Sequence, residues 1–225
     1  MIIVAFPGGA GGHFLGYVVN SLLSQQPPAT SAAINFHGLT KHSQSFLNFS
    51  FLDSGQSSAE EEQCYIHQIH PRSKLVLGHF RNIDELSAVH QCKIIAVTVD
   101  SRDHDLLVAR VLREAIDSNF DGIKYQDVRG ADWPAVNPGF NKLPRWIQLE
   151  IESQLHKMFY FWNSQMQCST DSVLQLTTHD IFYGNIVDKI AAYLEKPPVK
   201  ELGALHEHYK QLVSNKYLKN SSSTL

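Results

Sequence analysis

Ile2-Ile3-Val4-Ala5-Phe6-Pro7-Gly8-Gly9-Ala10-Gly11-Gly12-His13-Phe14-Leu15-Gly16-Tyr17-Val18-Val19 is the stretch whose reading decides the fold. Five apolar residues run into a proline, glycine fills four of the five positions 8–12, and a second apolar run follows. The order reads as strand, glycine loop and helix. A backbone free of side chains can curl tightly enough to aim successive N–H groups at one point, and the start of the following helix adds its positive dipole end there. Such an element is suited to an anion of the phosphate or sulfate type.

Outward from this stretch, helical spacing of Leu15, Val18, Val19, Leu22 and Leu23 predicts a helix from Gly12 to about Ser24, closed by Pro27-Pro28. Residues 29–63 are polar and Ser-rich, include Glu60-Glu61-Glu62, and read as a long connection with one short helix. Lys74–His79 and Lys93–Asp100 are short runs of continuous rather than alternating hydrophobicity, the pattern of parallel strands buried on both faces. A helical stretch around Asp84 to Val89 separates them. Another spans Leu106 to Ile116, with Ser101 or Asp103 able to cap it.

Gly130 to Pro144 reads as a loop leading into the longest helix, Pro144 to about Gln167. Ile147, Ile151, Leu155, Met158, Phe159, Trp162 and Met166 are assigned to one face of it, with Phe159, Tyr160 and Trp162 expected in the core. Val173–Thr177 is a last strand. A helix through Ile186, Ile190, Ala191 and Leu194 stops at Pro197-Pro198, and a final one spans about Lys200 to Asn215. Strands alternating with helices predict an α/β fold: three α/β/α layers around a central, mostly parallel sheet. The expected organisation is one domain over residues 1–218 and a tail at 219–225.

Composition narrows the function classes. The 225 residues carry a net charge of −3, which argues against a protein that coats nucleic acid, since such binding draws on clustered Lys and Arg. Cys64, Cys92 and Cys168 are too few and scattered for a disulfide framework, so a reducing, cytoplasmic setting is expected. The first apolar run stops at Pro7, too short for a membrane span or signal segment, and no membrane partner is expected. Cys64-x-x-His67-x-x-His70 suggests metal ligands, yet no second pair follows at a familiar spacing, and no metal is assigned.

Three phosphate-binding patterns compete for the loop. The dinucleotide fingerprint G-x-G-x-x-G fits Gly9 and Gly11 but meets Phe14 at its third glycine, and no acidic residue appears before Asp53. The G-x-x-x-x-G-K-[ST] pattern, laid on Pro7 to Phe14, places His13 at its lysine and Phe14 at its hydroxyl. A divergent NTPase or kinase would then use Asp100 for Mg²⁺.

The third pattern fits the order Phe6 to Leu15, which resembles the phosphosulfate loop of the sulfotransferase family within the P-loop superfamily. Gly78-His79-Phe80 resembles the family's strand-end element with the catalytic base. Val99-Asp100-Ser101-Arg102-Asp103 resembles its 3′-phosphate element, and Leu174–Ile181 with Asp188–Leu194 its late strand and helix. The resemblance implies 3′-phosphoadenosine 5′-phosphosulfate as donor, a hydroxyl group of a small molecule, glycan or peptide as acceptor, and no metal requirement. It places the donor against Pro7, Gly8, Gly9, Ala10, Gly11, Gly12 and His13. His79 is the expected base, His13 and Arg102 the expected cations, and Arg110 an alternative.

The departures are chemical. Gly8 stands where the family has lysine, Gly11 and Gly12 where it has hydroxyl residues, Val99 where it has arginine, and Leu107 near its serine. A scaffold kept with its ligands removed is also the expected signature of a noncatalytic phosphate- or nucleotide-binding protein.

Overall fold

The computed structural model describes residues 1–26, 50–52, 74–80, 83, 86, 92–108, 111, 144–166, 168 and 172–217. Among these residues, five strands form one sheet: β1 (Ile2–Ala5), β2 (Ser50–Leu52), β3 (Leu75–Gly78), β4 (Lys93–Thr98) and β5 (Val173–Thr177). Their spatial order is β2-β3-β1-β4-β5, and all four pairings are parallel. β1, β3 and most of β4 are buried, as their unbroken apolar runs demand.

The helices are α1 (Gly12–Ser24), α2 (Arg145–Gln165), α3 (Thr178–Tyr183), α4 (Ile186–Leu194) and α5 (Lys200–Tyr217). A 3₁₀ turn, Ser101–Asp103, leads from β4 into helical residues 104–108. The fold is the α/β/α sandwich expected from the alternating pattern. α1 packs against β1 and β3, with α4 and α5 beside it. A Cβ on Gly16 would fall 2.5 Å from a Leu77 methyl, so this glycine sets how closely α1 approaches β3.

Side-chain amides and indoles join α2 to the sheet. Asn163 Oδ1 accepts from the Val99 N–H and its Nδ2 donates to the Val99 carbonyl, both at 2.7 Å, so one side chain substitutes for a neighbouring strand just past β4. Trp162 Nε1 donates to the Val97 carbonyl at 2.8 Å. On the other side, Phe14 of α1 stacks on Tyr209 of α5 with centroids 4.2 Å apart, and the His206 ring lies 5.7 Å from Phe14. His206 Nε2 donates to the Ile181 carbonyl at 2.7 Å.

Several expectations change. β2 lies inside the segment read as a connection with a helix; three residues at a sheet edge leave no pattern long enough to recognise. The helix expected through Ile186 to Leu194 is present as α4, but the short α3 before it was not expected; α3 is closed at its start by a Thr177–Asp180 capping box and ends at Gly184, where a Cβ would meet the Asp180 carbonyl oxygen at 2.8 Å. In α2, Ile151, Leu155, Phe159, Trp162 and Met166 are buried, but Met158 and Tyr160 are exposed. On the helical wheel Tyr160 lies opposite the five buried residues, while Met158 lies at the margin of their arc, next to Ile151. The single-domain reading and the tail at 219–225 extend over residues outside those described.

Burial pushes the pKa values of His104 and His206 down, because their imidazolium forms lose hydration inside the protein. An unfolded chain protonates both near pH 6.5 while the fold resists. Their stabilising contribution is therefore complete above about pH 6.5 and declines below it, by up to about 1.4 kcal/mol per pH unit for each group. Melting curves between pH 7.5 and 5.0 should show the double variant His104→Gln/His206→Gln losing less stability than the parent; equal losses would contradict this.

Candidate functional site

In a parallel sheet, ligands collect beyond the carboxyl ends of strands where neighbouring connections leave in opposite directions. Here the chain leaves β1 toward β2 on one side and leaves β4 toward β5 on the other. The crevice between the ends of β1 and β4 is that switch point, and the glycine loop stands at its β1 side.

The loop is built from two left-handed glycines. Ala10 N–H donates to the Pro7 carbonyl at 3.2 Å across a turn whose third residue, Gly9, has φ 79°. Gly11 follows at φ 76° as the N-cap of α1, and no side chain caps the helix. The first turn of α1 contains no acidic residue. The start of α1 is thus buried, follows two left-handed glycines at the β1 side of the switch point and has no side-chain cap, and the first N–H groups of a helix have no partner within the helix itself.

Each glycine has its own reason. A Cβ on Gly12 would sit 2.1 Å from the Phe6 ring, and one on Gly11 would sit 2.5 Å from the Tyr209 hydroxyl oxygen. Nothing lies within 4 Å of a Cβ on Gly8, and its φ is not left-handed. Gly11 and Gly12 thus serve packing as well as loop shape, whereas the position that carries lysine in sulfotransferases is sterically open.

His79 stands immediately after β3. Its Nδ1 lies 2.5 Å from the Phe6 carbonyl, which can only accept, so Nδ1 carries the proton. In the neutral ring Nε2 then holds the lone pair, the form a general base requires. The imidazole is fixed edge-on between Phe6 at 5.1 Å and Trp162 at 6.2 Å between centroids. The contribution of α2 to this pocket was not legible in the sequence, where Trp162 reads only as core.

The expected cations are distributed differently. His13, in the first turn of α1, is half-buried, 6.3 Å from the Phe6 ring between centroids. Arg102 is committed elsewhere: Nε donates to Asp100 Oδ1 at 2.9 Å and Nη2 to Oδ2 at 2.7 Å, while its backbone N–H also reaches Oδ1. These bonds from Arg102 hold the Asp100 carboxyl well below the usual carboxylate range. The same fork occupies both oxygens that a Mg²⁺ reading of Asp100 would use. Arg110, Cys64, His67 and His70 lie outside the described residues. Among the described residues, no three His, Cys, Asp or Glu side chains are grouped to hold a metal, and no helix is long and apolar enough to cross a membrane.

The glycines separate experimentally. Gly8→Ala should leave the melting temperature within about 1 °C, while Gly12→Ala should cost about 1–3 kcal/mol or more by forcing the Phe6 ring aside. Equal losses for the two would refute the assignment of packing to Gly12. No family model, curated protein or solved structure matches this chain.

Proposed function

We propose that the chain is a sulfotransferase-like transferase that holds the phosphosulfate end of 3′-phosphoadenosine 5′-phosphosulfate on the Pro7–His13 loop and moves its sulfuryl group to a hydroxyl acceptor. The observation carrying this reading is the pairing of an uncapped α1 start at the switch point with a neighbouring imidazole whose tautomer leaves Nε2 basic. When bound, the donor supplies the sulfuryl group and a phosphate leaving group. The loop and first-turn N–H groups, with the α1 dipole, meet negative charge as it grows on the leaving phosphate oxygen. His13, when protonated, adds a cation there.

His79 Nε2 takes the proton of the acceptor hydroxyl as its oxygen attacks sulfur and the S–O bond to phosphate breaks. The Phe6 carbonyl holds Nδ1–H throughout, and the Phe6 and Trp162 rings keep the imidazole from turning. The acceptor fits this scheme as a small molecule, glycan or peptide carrying a hydroxyl.

A second reading, noncatalytic binding of a phosphate-bearing ligand, draws on the open space at Gly8 and the capture of Arg102 by Asp100. Adenosine 3′,5′-bisphosphate without Mg²⁺ should raise the melting temperature, by an amount equivalent to about 2.7 kcal/mol at a hundredfold excess over Kd. Stabilisation that appears only with ATP and Mg²⁺, or with neither nucleotide, overturns the donor assignment. Gly8→Lys should tighten bisphosphate binding roughly tenfold through one charge-assisted contact. With the acceptor identified, His79→Ala should abolish turnover and retain bisphosphate binding; retained turnover would exclude His79 as base.

A further inference from the structure

A second imidazole is held at the same sheet edge by different means. Asp103, in the 3₁₀ turn after β4, is buried, and its Oδ2 accepts from Thr178 Oγ1 at 2.8 Å. The same hydroxyl oxygen accepts from the Asp100 N–H at 3.0 Å, so Thr178 ties the ends of β4 and β5 together and aims the Asp103 carboxylate. Oδ1 of that carboxylate lies 3.6 Å from Nδ1 of His179.

His179 Nδ1 is shut off from solvent and makes no hydrogen bond, while about a third of the side chain, 35%, is exposed. Nδ1 must carry a proton in this arrangement, because a bare lone pair facing a carboxylate would be repelled. The neutral ring then carries its lone pair at Nε2, the ring nitrogen that is not among the buried, unbonded atoms. Tyr183 packs on the ring at 4.8 Å between centroids, at 38° to its plane. The neighbouring Asp100 charge is already balanced by Arg102, which leaves Asp103 as the carboxylate set against His179.

We propose that Asp103 and His179 form an acid–base dyad in which Asp103 is a positioning residue and His179 Nε2 accepts the proton of a hydroxyl-bearing ligand, an alcohol or water, at the β4–β5 edge. In that step the ligand O–H bond breaks, its electron pair stays on oxygen, and the new N–H bond forms at Nε2. The imidazolium charge is then balanced at Nδ1 by Asp103. The 3.6 Å separation is the loose form of a contact that tightens as positive charge develops on the ring. This dyad is separate from His79: the two histidines follow β3 and β5, three strand spacings or roughly 14 Å apart along the sheet edge. It stands whether or not the glycine loop holds phosphosulfate.

Two measurements on the full chain at pH 8, where imidazoles are largely neutral, test it. Long-range ¹H–¹⁵N spectra should show His179 in the Nδ1–H tautomer in the parent and a mixed or Nε2–H tautomer in Asp103→Asn, with the His79 pattern unchanged. Diethylpyrocarbonate, followed residue by residue by mass spectrometry, should acylate His179 at least roughly fivefold faster in the parent than in Asp103→Asn, with the rate at His208 as the internal reference. If the variant unfolds, Thr178→Val, which removes the hydroxyl that aims the carboxylate, supplies the same comparison. An Nε2–H tautomer in the folded parent, or tautomer and rate both indifferent to these substitutions, overturns the dyad. Neither readout depends on nucleotide binding, so failure of the donor assignment leaves the result interpretable.

Discussion

The molecule depends on the missing Cβ atoms at Gly11 and Gly12. Their absence lets the Phe6 ring and the Tyr209 hydroxyl fill the space beside the loop, and through those contacts three distant parts of the chain meet. Phe6 ends β1 and gives its carbonyl to His79 after β3. Tyr209 brings α5 onto Phe14 of α1. The loop is thus backed by aromatic side chains at the carboxyl end of β1. A close-packed backing has little room to adjust, which is why one methyl group at Gly12 is costly and one at Gly8 is not.

The charge arrangement around this loop is unusual for a phosphate site. Arg102, which follows β4, forms a bidentate fork with Asp100, and the lysine position of the sulfotransferase pattern is glycine. Under the proposed function, anion attraction would fall to backbone dipoles and to His13, groups whose contribution is modest in water and larger in a dry crevice. The groups proposed for proton transfer are more firmly held. His79 is oriented by a backbone carbonyl and His179 faces a buried carboxylate, so two imidazoles on opposite flanks of the crevice present Nε2 as the basic atom of the neutral ring.

Much of the frame was legible because burial imposes strong patterns. The unbroken apolar runs at residues 2–5, 75–78 and 94–97 suit central parallel strands buried on both faces, and the bounds of α1 follow from Gly12, the leucine–valine stripe and the prolines beyond it. The short edge strand β2 left no such trace. Tyr160 and Met158 were misplaced because aromatic and thioether side chains are apolar enough to suggest a core even where the helix turns them outward. In the site, the glycine loop and His79 were visible as a break in pattern at a strand end. The clamps formed by Asn163, Trp162, Tyr209 and Thr178 were not, because each acts across 60 or more residues through one hydrogen bond or ring contact that carries no local periodicity. The ion pair of Arg102 with Asp100 joins residues only two apart, but opposite charges at that spacing fit a shared ligand as well as each other, so the sequence alone does not distinguish the two.

The proposed function makes the β1–α1 loop an anion-binding element at the switch point. A crystal structure with adenosine 3′,5′-bisphosphate tests it most directly. The expected result is a phosphate group within hydrogen-bond reach of the backbone N–H groups between Gly9 and Phe14, with the imidazole of His79 on its β3 flank. Nucleotide bound away from that loop, with the α1 start left to solvent, would contradict it.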